Sequence, residues 1–292
     1  MFRLASRVLL ASLALSVSGC GDGRDRLVLQ NKGSDTLVNV AQAWAEEYQN
    51  VRPDIVVAVS GGGSGTGIAA LINGTVDLAN SSRSMKDREV KQARDAGHEP
   101  IQHVVGYDAL AIFLHPKNPI DEISIDQLAE IFGEGGAYIR WTDMGIEVPG
   151  CQKQEIVLVS RQNNSGTYAY FRESILGKGR DFRLGSRDMH GSKDVVDLVE
   201  HTPCAIGYSG LAYATDHIKL PCLSVHDNEP CVRPNKQTAA DLTYPIARPL
   251  IMYTSGEPVG ETAEYLDWIK SDAGQCIMSE KGYAPYRPVQ CE

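Results

Sequence analysis

Short apolar runs rich in β-branched residues alternate along this chain with longer segments whose apolar positions recur at helical spacing. Leu27-Val-Leu-Gln30 is the first such run, and Leu37, Val40, Ala41, Trp44 and Tyr48 then fall three or four residues apart. The first kind reads as a buried strand and the second as an amphipathic helix. Arg52-Pro53 closes that helix, because proline biases its predecessor out of the helical region. The alternation repeats with strands predicted at 55–60 and 76–80 and helical segments at 68–72 and around Met85, Val90 and Ala93. It recurs at 157–161, followed by Tyr168, Phe171, Ile175 and Leu176 at helical spacing. Residues 102–105 and 109–115 are predicted as two separate strands, the second ended by Pro116 and Pro119. Ser124 caps a helix running to Phe132. Beyond 176 the pattern predicts a helix at 194–199, a strand at 205–210, a strand at 242–253 and a last helix at 263–269 before an irregular tail.

Strands alternating with helices imply an α/β fold with a largely parallel sheet, in which ligands bind beyond the carboxyl ends of the strands. Four of those ends share one design. Gly33-Ser-Asp-Thr36, Ser60-Gly-Gly-Gly-Ser-Gly-Thr-Gly67, Ser81-Ser-Arg83 and Arg161-Gln-Asn-Asn-Ser-Gly-Thr167 are hydroxyl- or glycine-rich turns ahead of helical segments. Unpaired N–H groups and the positive end of the helix dipole make such a turn an anion site. Glycines allow positive φ and close approach of the backbone. Arg161 adds a planar fork of donors. Each turn taken singly also reads as a Ser/Thr N-cap. The 60–67 turn is not a nucleotide-hydrolysing P-loop, because it has no lysine at its end. Gly62-Gly-Ser64-Gly-Thr66 matches a serine-hydrolase elbow only in part, and no histidine lies in these loops to act as base.

Charge narrows the partners. The chain carries −9, and −11 once Arg3 and Arg7 leave with the signal described below. That argues against nucleic acid and anionic membrane surfaces. It also requires local dipoles and hydrogen bonds to hold any anion. Arg3 and Arg7 flank an n-region, and Val8-Leu-Leu-Ala-Ser-Leu-Ala-Leu-Ser-Val17 is an apolar core too short to span a bilayer. It runs into Val17-Ser-Gly-Cys20, which resembles a bacterial lipobox and implies cleavage before Cys20 and lipidation of its thiol. Residues 1–19 are thus read as signal peptide and 20–26 as a lipidated tether. The other cysteines are Cys151, Cys204, Cys222, Cys231, Cys276 and Cys291, an even set that in an exported chain favours disulfides. Spacing suggests Cys222–Cys231 and Cys276–Cys291, with Cys151 and Cys204 left over, although sequence leaves the connectivity open. No CxxC or Cys/His cluster points to a metal, and no cofactor is expected.

The four turns in this order, with Tyr244-Pro-Ile-Ala-Arg248-Pro-Leu250, resemble the phosphate-binding lipoproteins of bacterial ABC phosphate importers, within the type II periplasmic substrate-binding proteins. The resemblance covers nearly all of the mature chain. It implies a two-lobed fold, each lobe a mixed, mostly parallel sheet flanked by helices, with the ligand in the cleft between them. Lobe 1 would be 27–106 with 243–292, and lobe 2 would be 107–242. Carried over motif by motif, Thr36, the Leu37 N–H, Ser64, Ser82 and Arg83 would bind phosphate from lobe 1. Arg161, Ser165, the Gly166 N–H and Thr167 would close on it from lobe 2. The implied role is non-enzymatic: phosphate binding outside the inner membrane and delivery to ABC permease and ATPase subunits, by a lipid-anchored protein expected to be a monomer. The sequence departs from the family twice. Where well-known members carry an aspartate that accepts the phosphate proton, this chain has Ser82, so Asp35 is taken as the substitute acceptor. Asn163 stands where some members have an acid beside the arginine, so Arg161 is expected to be less neutralised. Another oxyanion (sulfate, molybdate or tungstate) is the first alternative, and a phosphatase or serine hydrolase using Ser64 is the second. A sensor or adhesion role is left open.

Overall fold

A computed structural model describes residues 26–291. The signal and Cys20 lie outside these residues, as does most of the tether. Elements follow in chain order: β1 (Leu27–Gly33), α1 (Val38–Val51), β2 (Ile55–Ser60), α2 (Ser64–Ile72), β3 (Leu78–Ser81), α3 (Asp87–Asp95) and β4 (Pro100–Leu114). Next come β5 (Glu122–Ser124), α4 (Ile125–Phe132), β6 (Val157–Arg161), α5 (Gly166–Leu176), β7 (Arg187–Met189), α6 (Ser192–Glu200), β8 (Ala205–Gly210) and β9 (Cys222–Ser224). The chain ends with α7 (Lys236–Ala240), β10 (Ala247–Ser255), α8 (Gly260–Lys270), α9 (Asp272–Glu280) and β11 (Ala284–Pro285).

The main sheet runs β2-β1-β3-β10-β4-β8-β6-β7, with β11 pairing on β4. It is parallel at both ends, where β1 pairs with β2 and β3, and β6 pairs with β7 and β8. The middle is antiparallel, because the chain leaves the first half along β4 and returns along β10. Residues 100–109 of β4 pair with β10, and residues 110–114 pair with β8. β4 thus passes from one half of the sheet to the other. Each half has its own core. Leu29, Trp44, Val57, Leu78, Tyr265 and Met278 pack in the first, and Phe132, Trp141, Phe171, Tyr208 and Leu223 in the second. Fully burying an aromatic or aliphatic side chain of this size contributes about 1.5–3 kcal/mol relative to leaving it exposed.

The structure corrects the predicted elements in three places. β4 is one strand, where 102–105 and 109–115 were expected to be separate. Gly106-Tyr-Asp108 interrupts the apolar pattern, but Arg248 lies opposite Asp108 and neutralises it within the strand. α9 occupies the expected irregular tail, held where Trp44 Nε1 donates to the Gly274 carbonyl at 2.7 Å and buried Gln275 donates to Val105 and Ile269. β10 begins at Ala247 rather than 242, because Ala247 N–H first closes a turn onto Tyr244. The helix caps follow sequence chemistry more closely. Ser124 Oγ accepts from the Gln127 N–H, and the Gln127 side chain accepts from the Ser124 N–H.

All six remaining cysteines are paired, as Cys151–Cys204, Cys222–Cys231 and Cys276–Cys291. Glu122 lies beside Cys222 and Cys231, but those sulfurs are bonded to each other and offer no thiolate to a metal. Among the described residues no helix is long and apolar enough to cross a membrane.

Candidate functional site

Three helices start from strand-end turns that face one another. α1 follows the turn after β1, α2 the glycine turn after β2, and α5 the turn after β6. Gly62 and Gly63 have φ of +111° and +90°, where a side chain would be strained. A Cβ on Gly63 would also lie 2.7 Å from the Asn164 carbonyl oxygen. The glycines therefore let the first lobe's turn close against the 162–166 turn of the second. Gly65 N–H donates to the Asn164 carbonyl at 2.9 Å, and Asn164 Nδ2 donates to the Gly62 carbonyl at 2.9 Å.

Between these helix starts lies a buried hydroxyl cluster. Thr36 Oγ1 is 3.0 Å from Thr167 Oγ1. Ser82 N–H donates to Ser64 Oγ at 3.0 Å, and the two serine hydroxyls are 3.4 Å apart. A Cβ on Gly166 would fall 2.2 Å from Ser64 Oγ and 2.6 Å from Ser82 Oγ. Ser165 Oγ accepts from the Thr167 and Tyr168 N–H groups. It is thus a true N-cap of α5, and its hydroxyl hydrogen is still available to a ligand. Six predicted residues, Thr36, Ser64, Ser82, Ser165, Gly166 and Thr167, are gathered here, each no more than 3% exposed where a side chain is present.

Arg161 reaches the turn after β1 from the end of β6, through Asp35, and is only 1% exposed. Its Nη1 donates to Ser192 Oγ at 2.9 Å, and its Nη2 donates to Asp35 Oδ2 at 3.1 Å and to the His190 carbonyl at 2.8 Å. Its Nε has no partner although it is buried. An orphaned guanidinium N–H is costly unless something accepts from it. Burial pushes the guanidinium's pKa down and Asp35 opposes that, but an arginine stays charged in either case.

Three expectations are revised. Asn163 does not leave Arg161 less neutralised: it is exposed, and Asp35 of the facing turn pairs with the guanidinium instead. Asp35 Oδ1 also accepts from Gly62 N–H at 2.9 Å, so this carboxylate ties together β1's turn, the glycine turn and Arg161. The Arg83 guanidinium is not brought to the cluster. It makes two 2.8 Å bonds to Glu89 and a third to the Ser84 carbonyl. Leu37 lies at the start of α1 as expected, but its N–H donates to the Ser34 carbonyl at 3.1 Å.

The structure adds two residues that the sequence reading did not place in the site. Arg248 on β10 is wholly buried and bound to Asp108 on β4, by Nε at 3.1 Å and Nη2 at 2.8 Å. Its Nη1 lies 3.1 Å from Thr167 Oγ1 and its Nη2 3.4 Å from Thr36 Oγ1. Burial pushes the Asp108 carboxyl up, and the Arg248 charge opposes it. A charged residue inside each of two apolar strand runs was the available signal, since a buried charge demands a partner. The site thus holds two cations and two carboxylates, Arg161 with Asp35 and Arg248 with Asp108. Its capacity for an anion comes from hydroxyls, helix N-termini and the free Arg161 Nε rather than from surplus positive charge.

Comparison with known proteins places the chain in a family. Residues 21–273 match the model of the PBP superfamily domain. The phosphate-binding protein PstS of Pseudomonas aeruginosa is 36% identical over 268 residues, covering 88% of this chain and 82% of that protein. A solved ABC-type phosphate transport receptor from Vibrio cholerae is 25% identical and superposes with a TM-score of 0.70, over 89% of this chain and 100% of its own. A phosphate ABC transporter substrate-binding protein from Clostridium perfringens, solved with bound phosphate, shares the fold at a TM-score of 0.77 and 24% identity, over 89% and 100% of the two chains. With a superfamily model spanning most of the sequence and a curated relative well above 30% identity, the chain belongs to the PBP superfamily and, within it, to the family of the phosphate-binding protein PstS.

Proposed function

We propose that this protein is a receptor that binds inorganic phosphate between its lobes and delivers it to an ABC-type permease. The observation that carries this reading is the unpartnered, buried Arg161 Nε, on a guanidinium that pairs with Asp35 in the same turn as Thr36 of the hydroxyl cluster. A tetrahedral oxyanion has many lone pairs and needs many donors, and this site is donor-rich. Thr36, Ser64, Ser82, Ser165 and Thr167 supply hydroxyls, Gly166 supplies a backbone N–H at the start of α5, and Arg161 supplies charge. Asp35 is the acceptor for the proton of hydrogen phosphate, a bond that sulfate cannot form near neutral pH. Closure follows from the layout, because only the closed form offers donors from both lobes at once. Family names point the same way, since the relatives above are described as phosphate-binding and phosphate-transport proteins.

The role is binding rather than catalysis. Ser64 Oγ accepts from the Ser82 N–H and lies 3.4 Å from the Ser82 hydroxyl, an arrangement that suits a donor to a ligand. The lipobox-like Val17-Ser-Gly-Cys20 supports lipid anchoring outside the inner membrane, from where the ligand would pass to the permease driven by its ATPase subunits. Calorimetric titration of purified protein with phosphate, sulfate, molybdate and tungstate tests the reading. Phosphate should bind at least tenfold more tightly than sulfate. Equal affinity for sulfate would overturn phosphate as the ligand.

A further inference from the structure

Arg248 sits where both lobes meet. It is carried by β10 and paired with Asp108 of β4, on the two strands that cross between the halves of the sheet. Its guanidinium touches one hydroxyl from each jaw, Thr36 Oγ1 of the first and Thr167 Oγ1 of the second. A guanidinium can only donate. Each threonine oxygen therefore spends a lone pair on Arg248, and its hydroxyl hydrogen points away from the guanidinium; one of the two hydrogens bridges the 3.0 Å to the other hydroxyl and the second is left to the cleft. Asp108 fixes the fork in turn. Its Oδ2 accepts from Nε and Nη2, and its Oδ1 accepts from the Leu211 N–H at 3.1 Å. β8 runs close by, since a Cβ on Gly210 would lie 2.9 Å from the Asp108 carboxylate and 3.2 Å from Thr36 Cγ2. On the other side the guanidinium lies 5.7 Å from the centre of the Tyr170 ring, and Tyr170 OH donates to the Ala247 carbonyl at 2.5 Å.

We infer that the Arg248–Asp108 pair is a positioning unit for the bound anion, which turns the Thr36 and Thr167 hydroxyls into obligate donors and aims them from both lobes at one point. The inference rests on the phosphate reading of the site. It assigns the pair a task that neither helix starts nor Arg161 can perform, because free hydroxyl rotors would otherwise donate or accept as their neighbours dictated. An anion entering there needs only one hydroxyl hydrogen to turn, from the Thr36–Thr167 bond to the ligand, so it loses less free energy to reorientation than it would with free rotors.

The test compares phosphate binding by the parent protein with that of Arg248→Met/Asp108→Leu, which removes both charges and leaves neither orphaned. Arg248→Lys serves as the conservative variant. Two misaimed hydroxyl bonds at a typical net strength each should raise Kd about 30-fold in the double variant. Arg248→Lys should give a smaller loss, since an ammonium can hold Asp108 and at most one hydroxyl. On the isotope-labelled parent, the Arg248 Nε–H resonance should move on adding phosphate, a readout that needs no substitution to fold. A parent that binds phosphate, with an unmoved Arg248 resonance or with unchanged Kd in a folded double variant, overturns the inference and leaves the phosphate reading standing. A parent that binds no phosphate overturns both.

Discussion

Replacing Arg161 with alanine removes the cation that the end of β6 places against Asp35, and with it a donor the proposed site needs. The side chain is 1% exposed, and three hydrogen bonds hold it against Ser192, Asp35 and the His190 carbonyl, leaving Nε buried without a partner and, on the proposed reading, free to donate to the anion. Losing one partner of a buried, charge-assisted contact costs about 3–5 kcal/mol. At about 1.4 kcal/mol per tenfold change, the phosphate Kd should rise from about a hundredfold to a few thousandfold. Two effects make up that loss and can be separated. One is the missing donor. The other is Asp35, which in the variant keeps its bond from Gly62 N–H but faces the incoming anion without its counter-ion. Adding Asp35→Asn to Arg161→Ala should therefore recover part of the affinity, a positive coupling that a double-mutant cycle measures. Calorimetry on variants whose far-ultraviolet circular dichroism matches the parent gives the binding term free of unfolding. A Kd within threefold of the parent for Arg161→Ala would refute the placement of this arginine in the site. Absence of any coupling with Asp35 would refute the charge argument while leaving the hydrogen-bond argument intact.

Gly166→Ala separates binding from stability in a different way. The new Cβ would meet Ser64 Oγ at 2.2 Å and Ser82 Oγ at 2.6 Å, so the jaws cannot close fully, yet alanine suits the first turn of α5. Phosphate affinity should fall at least tenfold with a melting temperature close to the parent's, read by calorimetry and thermal denaturation. The disulfides should rank by loop length. Opening Cys151–Cys204, 53 residues apart, should cost about 4 kcal/mol on the loop-entropy scale, and opening Cys222–Cys231, 9 apart, about 2.5, as measured by urea denaturation of the paired Cys→Ala variants. Burial acts to raise the Glu89 carboxyl, but its bonds from Arg83 and from Lys86 N–H outweigh that and hold it below the ordinary range. Its folded pKa is depressed, so its stabilisation is full above about pH 4.5 and is lost as pH falls through the folded value. Glu89→Gln should accordingly flatten the acid side of the stability curve and leave phosphate affinity unchanged, because Arg83 lies outside the hydroxyl cluster.

The alternation of short β-branched runs with helical spacing was enough to specify an α/β sheet, because those periods follow from backbone geometry and need no partner. The four polar turns were equally legible, since glycine, serine and threonine at a strand-to-helix junction have few physical uses. What those turns bind to in the folded chain was not legible. Asp35 and Arg161 are 126 residues apart and pair across the lobes, which no local pattern reports. Asn163, two residues from Arg161, is exposed instead. The same limit hid Arg248 and Asp108. Each reads locally as a charge that interrupts a strand, and for Asp108 that interruption suggested two strands where there is one. Only their pairing across β10 and β4, 140 residues apart, makes them a buried unit beneath Thr36 and Thr167. Arg83 is the converse case. It stands beside Ser82 in the motif, but a bidentate contact with Glu89 at the start of α3 directs it elsewhere. Sequence determined which groups could hold an anion, because donor chemistry belongs to residue types. Tertiary structure decided which of them face one another, because burial leaves each charge free to choose any partner the fold brings within reach.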